Sequence, residues 1–234
     1  MRMGNQPLVS AIVPVRNCER YLAEALESAL AQTYQPVEIF VVDDGSGDRS
    51  GEIAKRYVPA VRYLFQTCAG AAAARNRAIP LAKGDFFAFL DADDVWFPDK
   101  LALQMAAFDA EPDLDIVTGY VRQFISPELD PEGMKGIYCP PDPMPGYIPS
   151  AILVKREAFF RVGLFDENYP AEYQMEFLNW CARAVELGLH IKVLPELVAR
   201  RRLHQTNQER SRKSRLEIVR MLKASLDRRR GANG

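Results

Sequence analysis

Cysteine is scarce: Cys18, Cys68, Cys139 and Cys181 are widely spaced in 234 residues and form no CxxC pair. That spacing supports neither a zinc ribbon nor a secreted disulfide framework, so a reducing compartment is expected. Long hydrophobic runs are missing too. The longest, such as Phe86-Phe87-Ala88-Phe89-Leu90, fall far short of the ~20 residues of a membrane-crossing helix. The first ten residues, MRMGNQPLVS, lack the apolar stretch of a signal peptide. The expectation is a cytoplasmic protein. Internal repeats are absent, and so is a large excess of charge, with 30 Lys and Arg against 31 Asp and Glu. At 48% apolar and 26% charged residues, the chain is neither disordered nor collagen-like. Its length is ample for a buried core, in one large domain or two small ones.

The near-zero net charge hides an asymmetry. From Arg200 onward twelve Lys and Arg face three acids, a local balance of +9, which leaves −10 on residues 1–199. Acidic body and basic tail are expected to meet different partners. In the tail, Leu216, Val219, Leu222 and Leu226 fall on one face of a basic helix over 211–230.

The first half alternates strand and helix signals. Val9 to Val15 (VSAIVPV) is an apolar run, with Asn17 as N-cap of the helix that follows. Tyr21, Leu22, Ala25, Leu26, Ala29 and Leu30 share that helix's apolar face, and Pro36 stops it. Val37 to Val42 (VEIFVV) is a strand ending in the acidic turn Asp43-Asp44-Gly45-Ser46-Gly47-Asp48. A helix over 50–57, a strand over 61–65, an alanine-rich helix over 71–82 and a strand over 86–90 follow. The alternation predicts an α/β protein with a mostly parallel central sheet between helices. Between Ser126 and Pro149 lie seven of the sixteen prolines, the mark of a long irregular loop. Order resumes at 151–154, in a helix over 156–161 and in an apolar-periodic segment over 175–187.

Asp91-Ala92-Asp93-Asp94 follows directly on an apolar strand, where ligands of open α/β sheets bind. Carboxylates two residues apart share a side of a strand and converge on one cation. Acids this crowded repel one another unless a cation or solvent offsets them, and Mg²⁺ or Mn²⁺ takes oxygen ligands and bridges phosphates. The alternative is a solvated N-terminus for the helix over 98–108. Spacing alone leaves both open. Asp43-Asp44 sits at a second strand end, where carboxylates accept hydrogen bonds from a base or ribose, or form an ordinary Asx turn. Gly45, Gly47 and Gly51 nearly match the dinucleotide fingerprint, but the third glycine is one place late and two acids precede it. No Walker A loop is present, and Gly45 occupies a ligand position of the calcium-loop pattern.

Four motifs occur in register: VSAIVPVRN, VVDDGS, Gly70-xxxx-Arg75-Asn76 and AKGDFFAFLDADDVWFPDKL. Together, over residues 8–101, they closely resemble the donor half of glycosyltransferase family 2. The resemblance continues more weakly through YIPSAILVKREAFFRVGLFDE at 147–167 and ends at Arg202-Leu-His204-Gln-Thr-Asn207. It implies a GT-A-like fold over 1–210, a Rossmann-like donor half (about 8–115) plus a smaller acceptor half (about 116–210), followed by the basic helix over 211–234. It implies an inverting transfer from a nucleotide-diphospho sugar, UDP-linked by preference, with Mn²⁺ or Mg²⁺. Residues matching Pro14 and Asp44 touch the base, Arg75 and Asp91 the donor, with Asp91 on the ribose or diphosphate side. Asp93 holds the metal, and His204 reaches the metal or the diphosphate.

Inversion needs a general base for the acceptor's proton. The family places an Asp second in a Glu-Asp pair, and counting back from Arg183 puts that pair on Glu176-Phe177. Phe177 cannot accept a proton. Glu176 is the expected substitute, with Glu172 and Asp166 as fallbacks, against the alternative that Glu176 is merely exposed on an amphipathic helix. Two rival functions follow: a donor-binding relative that lost catalysis with Phe177, and a sugar nucleotidyltransferase. Residues 10–20 lack the glycine-rich loop the latter needs.

Trp96, after the acidic cluster, is a better candidate than Trp180 for stacking on a sugar, although both also fit a core role. Cys181 is expected on its helix's buried face. The basic helix would pack on the acidic body or on a second subunit, as in a homodimer. It would otherwise touch the inner face of a membrane peripherally, or fray in solvent. The absence of aromatic-interleaved basic patches argues against nucleic acid. A glycan, lipid-linked, small-molecule or peptide acceptor all remain open.

Overall fold

A computed structural model of the chain describes residues 6–168 and 175–205. The expectations for Glu172 and for the helix over 211–234 lie outside the described residues. In the first half, strands β1 (Val9–Val15), β2 (Val37–Asp44), β3 (Arg62–Gln66) and β4 (Phe86–Phe89) alternate with helices α1 (Leu22–Leu30), α2 (Ser50–Arg56) and α3 (Ala71–Ala78). Beyond them lie β5 (Val95–Trp96), α4 (Lys100–Ala110), β6 (Ile116–Ile125), β7 (Met144–Pro145), β8 (Leu153–Lys155), α5 (Arg156–Val162), α6 (Glu176–Glu186) and β9 (Ile191–Leu203).

The strands form one sheet in the order β3-β2-β1-β4-β8-β6-β9-β5, with β7 beside β6. The β3-β2-β1-β4 half is parallel throughout. In the other half β8 runs antiparallel to both β4 and β6, β9 runs parallel to β6, and β5 runs antiparallel to β9. The sheet as a whole is therefore mixed. Its apolar runs are continuous because both faces are covered. Val9, Ala11, Val13, Ile39 and Val41 pack in one core with α1 and α4, whereas Ile12, Phe40, Val42, Phe87 and Phe89 pack in a second with α3, α5 and α6. Neighbouring residues of one strand thus serve opposite cores, as the two-residue period of a strand requires.

Several local expectations are corrected. Asn17 is not the N-cap of α1: it has φ +50°, and its Oδ1 accepts from Gly47 N–H at 2.7 Å. That bond fastens the loop after β1 to the acidic turn after β2, and α1 starts later, after Tyr21. The helix also ends well before Pro36, at Leu30. The alanine-rich helix ends at Ala78 and tightens into a 3₁₀ turn, Ile79–Leu81, around Pro80, whose ring cannot continue an α-helix. The 126–149 stretch is irregular apart from β7. Among the described residues no helix is long and apolar enough to cross a membrane.

β9 carries the second half of the site, and its seating depends on a glycine. A Cβ at Gly119 of β6 would lie 2.4 Å from Val198 Cγ1 and 3.0 Å from the Glu196 carbonyl oxygen. Gly119 also marks a register irregularity between β6 and β9. Gly119→Ala is expected to destabilise the fold by about 1–3 kcal/mol through overpacking, read as a lowered urea midpoint at unchanged m-value.

Candidate active site

β1 and β4 pair only as far as Ile12 and Phe89, and the last bond between them runs from Leu90 N–H to the Ile12 carbonyl at 3.0 Å. Beyond that rung they separate. Pro14 fits there because its missing N–H points to the side that β4 has already left. Strand order also reverses at this point, since β2 and β3 lie to one side of β1 and β4 to the other. A ligand crevice is expected at such a switch point, and a cleft of about 780 Å³ opens in it. Pro14, Asp44, Arg75, Asp91, Asp93, Glu176 and His204 all line it.

The two acids ending β2 have separate jobs. Asp43 makes the Asx turn: Oδ1 accepts from Ser46 N–H at 2.9 Å, while Oδ2 accepts from the Tyr63 hydroxyl at 2.8 Å. Asp44 anchors the start of α3, accepting from Ala69 N–H (2.7 Å) and Gly70 N–H (2.9 Å). Gln66 Nε2 donates to it at 2.8 Å. Gly70 has φ +97°, a value suited to glycine, and lets the chain turn from β3 into α3 over the cleft floor.

Arg75 is the centre of the site. It is 3% exposed, donating from Nη1 to Glu176 Oε1 and from Nη2 to Asp91 Oδ1, each at 2.7 Å. Burial alone would lower the guanidinium's pKa, but the Asp91 and Glu176 carboxylates more than offset it, so the group is held charged. Its Nε is buried with no hydrogen-bond partner. Glu176 is itself 5% exposed, at the first turn of α6. It is therefore not a surface residue of an amphipathic helix. Phe177 also lines the cleft, 3% exposed and packed into the second core. Of the fallback bases, Asp166 is not among the described residues that line the cleft; its Oδ1 accepts from Asn168 N–H (3.0 Å) and Nδ2 (2.9 Å).

The acidic turn divides similarly. Asp94 is structural: Oδ2 accepts from the Ser150 hydroxyl at 2.6 Å and Oδ1 from Arg202 N–H at 3.1 Å. Burial, then the neighbouring Asp93 and Asp91, push its carboxyl well above the usual range. Burial raises Asp91 as well, with Arg75 opposing and Asp93 adding to the rise. Asp93 faces His204, whose Nε2 lies 2.9 Å from Oδ2. His204 reaches it because β5 pairs with β9, Val95 opposite Arg200. Arg202, 3% exposed, braces the turn from behind. Its Nε donates to the Asp93 carbonyl at 3.0 Å and its Nη2 to Glu24.

Ser150 and Tyr147 escaped the sequence analysis, with no signal beyond their place in YIPSAIL, and Arg202 entered it only as the start of the closing motif, without a role. The expectation for Trp96 is corrected. It is 2% exposed, and its Nε1 donates to the Ser150 carbonyl at 2.8 Å, which leaves no face for a sugar. Trp180 is fully buried, stacked on Phe159 at 5.3 Å. Cys181 is half-buried against the second core.

Among the described residues no group of three or more His, Cys, Asp and Glu is arranged to hold a metal ion. Asp93 and His204 offer one carboxylate and one imidazole on the same side of the cleft. A divalent cation there would take its oxygen ligand from Asp93 and its nitrogen ligand from His204.

Residues 10–165 match the model of Glycosyl transferase family 2, and the chain belongs to that family. It is 34% identical over 191 residues to an uncharacterized glycosyltransferase of Rickettsia prowazekii, covering 73% of this chain and 58% of that protein. It is 38% identical over 135 residues to the uncharacterized glycosyltransferase EpsJ of Bacillus subtilis, covering 53% of this chain and 39% of that one. The chain thus spans less than two thirds of the length of these relatives. Among solved structures, S. aureus TarS 1-349 in complex with UDP-GlcNAc superposes with TM-score 0.67 at 22% identity, over 87% of this chain and 60% of that one. The mannosyltransferase PcManGT from Pyrobaculum calidifontis, in complex with GDP-Man and Mn²⁺, gives 0.62 at 20% identity, over 83% and 57%. The fold is GT-A-like.

One buried lysine supports the site from behind. Lys100 donates to Gln104 Oε1 (2.7 Å) and the Ile152 carbonyl (3.2 Å), with its ammonium 4.5 Å from the Trp96 ring centre. It thereby holds the strap that carries Ser150. Burial depresses its pKa well below the ordinary lysine value. Between the depressed and the ordinary pKa the unfolded chain binds a proton that the folded chain does not, so stability rises with pH there. Raising the pH from 7 toward about 10 is therefore expected to favour wild type increasingly over Lys100→Met. Urea titrations across that range read the difference.

Proposed function

We propose that this protein transfers a sugar, with inversion, from a nucleotide-diphospho donor to an acceptor hydroxyl, and that the donor is UDP-linked. The observation that carries the reading is the Arg75 bridge between Asp91 and Glu176 in the cleft where β1 and β4 part. Pro14 and Asp44 receive the base, Arg75 and Asp91 the ribose and diphosphate side, and Asp93 with His204 would hold Mn²⁺ or Mg²⁺. When bound, the ion supplies Lewis-acid stabilisation to the departing nucleoside diphosphate. The acceptor oxygen attacks the anomeric carbon, the bond to the diphosphate breaks with its electron pair on the leaving group, and the hydroxyl proton passes to Glu176. Glu176 Oε1 is engaged by Arg75, so Oε2 is the accepting oxygen. The complexes named for TarS and for PcManGT, with UDP-GlcNAc and with GDP-Man and Mn²⁺, support a nucleotide-sugar donor and a divalent ion. One domain over about 1–210, acting without nucleic acid, is part of the reading.

Phe177 favours a second reading, a donor-binding protein without turnover. The two separate by calorimetry with UDP, with and without Mn²⁺, followed by UDP release from a panel of sugar nucleotides. Asp93→Asn is expected to weaken Mn²⁺-dependent UDP binding by about 10- to 100-fold, the usual cost of disturbing a metal site. Glu176→Gln keeps an acceptor for Arg75, so it should leave UDP affinity nearly unchanged while lowering kcat by about 10²- to 10⁴-fold. Wild-type turnover in Glu176→Gln would remove the base assignment. Tight UDP binding by the wild type with no turnover of any donor would favour the second reading.

A further inference from the structure

We propose that Tyr147 is the acceptor platform, and that the acceptor presents a pyranose ring whose apolar face stacks on it. The proposal rests on the transfer reading above and gives it a substrate class. Tyr147 is 59% exposed, and of the exposed large hydrophobic side chains among the described residues it alone lines the cleft.

Its root is fixed on both sides. Just before it, Gly146 donates its N–H to the Gly119 carbonyl at 2.9 Å, and its own carbonyl accepts from the Thr118 hydroxyl at 2.7 Å. A Cβ at Gly146 would lie 2.5 Å from Ala151 Cβ and 2.7 Å from the Gly119 oxygen, so the backbone there is pressed onto β6. Just after it, Ser150 is bound to Asp94, and its hydroxyl accepts from Asp91 N–H at 3.1 Å. The backbone on either side of Tyr147 is thus anchored, to the sheet before it and to the acidic turn after it, yet most of the side chain is left to solvent.

An aromatic side chain is ordinarily a large buried contributor to a core or interface. One held open at the mouth of a sugar-transferring cleft offers an apolar face to a flat, partly apolar ring. The rest of the lining fits a saccharide better than an acyl chain. Arg16, Glu19 and Arg20 also line the cleft and are polar groups for hydroxyls, and burying such charges against hydrocarbon is costly.

The test uses the full chain and saturation-transfer NMR with methyl glycosides of glucose, galactose, mannose and N-acetylglucosamine, with and without UDP and Mn²⁺. Wild type should show transfer to the ring C–H protons of at least one glycoside, concentrated on one face. Tyr147→Ala should weaken that glycoside's binding by at least about 10-fold, the range of an interface anchor, and Tyr147→Phe should retain it. UDP affinity should be the same in all three. No signal from any glycoside, equal signals in Tyr147→Ala, or binding of octyl phosphate in place of the glycosides would overturn the platform. A loss of UDP affinity in Tyr147→Ala would reassign the ring to the donor and overturn it too. Failure of wild type to bind UDP, with glycoside binding intact and dependent on Tyr147, would instead strike the transfer reading alone.

Discussion

Everything in the cleft depends on how one buried cation is shared. Arg75 comes from the helix after β3, Asp91 from the end of β4, and Glu176 from the start of α6, so a single guanidinium ties together three parts of the chain. The arrangement holds because Arg presents donors in a fixed fork that serves two carboxylates at once. A lysine there would present a point charge and could not hold both at fixed angles. Asn76, next in sequence, extends the junction: its Nδ2 donates to the Phe165 carbonyl and Glu167 Oε1, each at 2.8 Å, and its Oδ1 accepts from Phe165 N–H. Adjacent residues of one helix thus fix the cleft wall and the loop that leads towards α6.

Concentrating negative charge at a strand end is unfavourable unless each carboxylate is given something to do. In this turn the tasks are distributed. Asp94 is spent on holding the fold, Asp91 on Arg75, and Asp93 faces His204. The brace behind them comes from β9, where Arg202 grips the Asp93 carbonyl while its backbone N–H serves Asp94. Tyr21 and Phe124 lie against the same guanidinium, each ring centre 4.7 Å away. The positions of Asp93 and His204 are therefore set by the β6–β9 pairing as much as by the loop itself.

The first half was legible in the sequence because its signals are local. Apolar runs such as VSAIVPV and VEIFVV, each closed by a turn, translate directly into strands covered on both faces. The acids stand where those strands end. The second half was harder to read. β9 contains Pro195 and three consecutive arginines before its last residue, so neither alternation nor an apolar run announces it, and β6 is interrupted by Gly119. Their pairing is a long-range fact that local propensity cannot supply. Trp96 was misread for a related reason. Proximity in sequence to Asp93 and Asp94 suggested the cleft, but side chains alternate along β5, and Trp96 turns into the core between α1 and α4. Tyr147 went unread because nothing in a proline-rich loop tells a tethered aromatic from an idle one.

The substitution at Phe177 bears on the proposed chemistry through helix geometry. Successive residues of an α-helix point about 100° apart, so Glu176 does not stand where a carboxylate at position 177 would. A base at Glu176 approaches the acceptor from the Arg75 side of the cleft, with one oxygen already engaged. Phe177 is instead 3% exposed, packed into the second core and presenting an apolar surface to the cleft. Arg75 fixes the direction of approach from Glu176, because the same guanidinium also holds Asp91 at the end of β4.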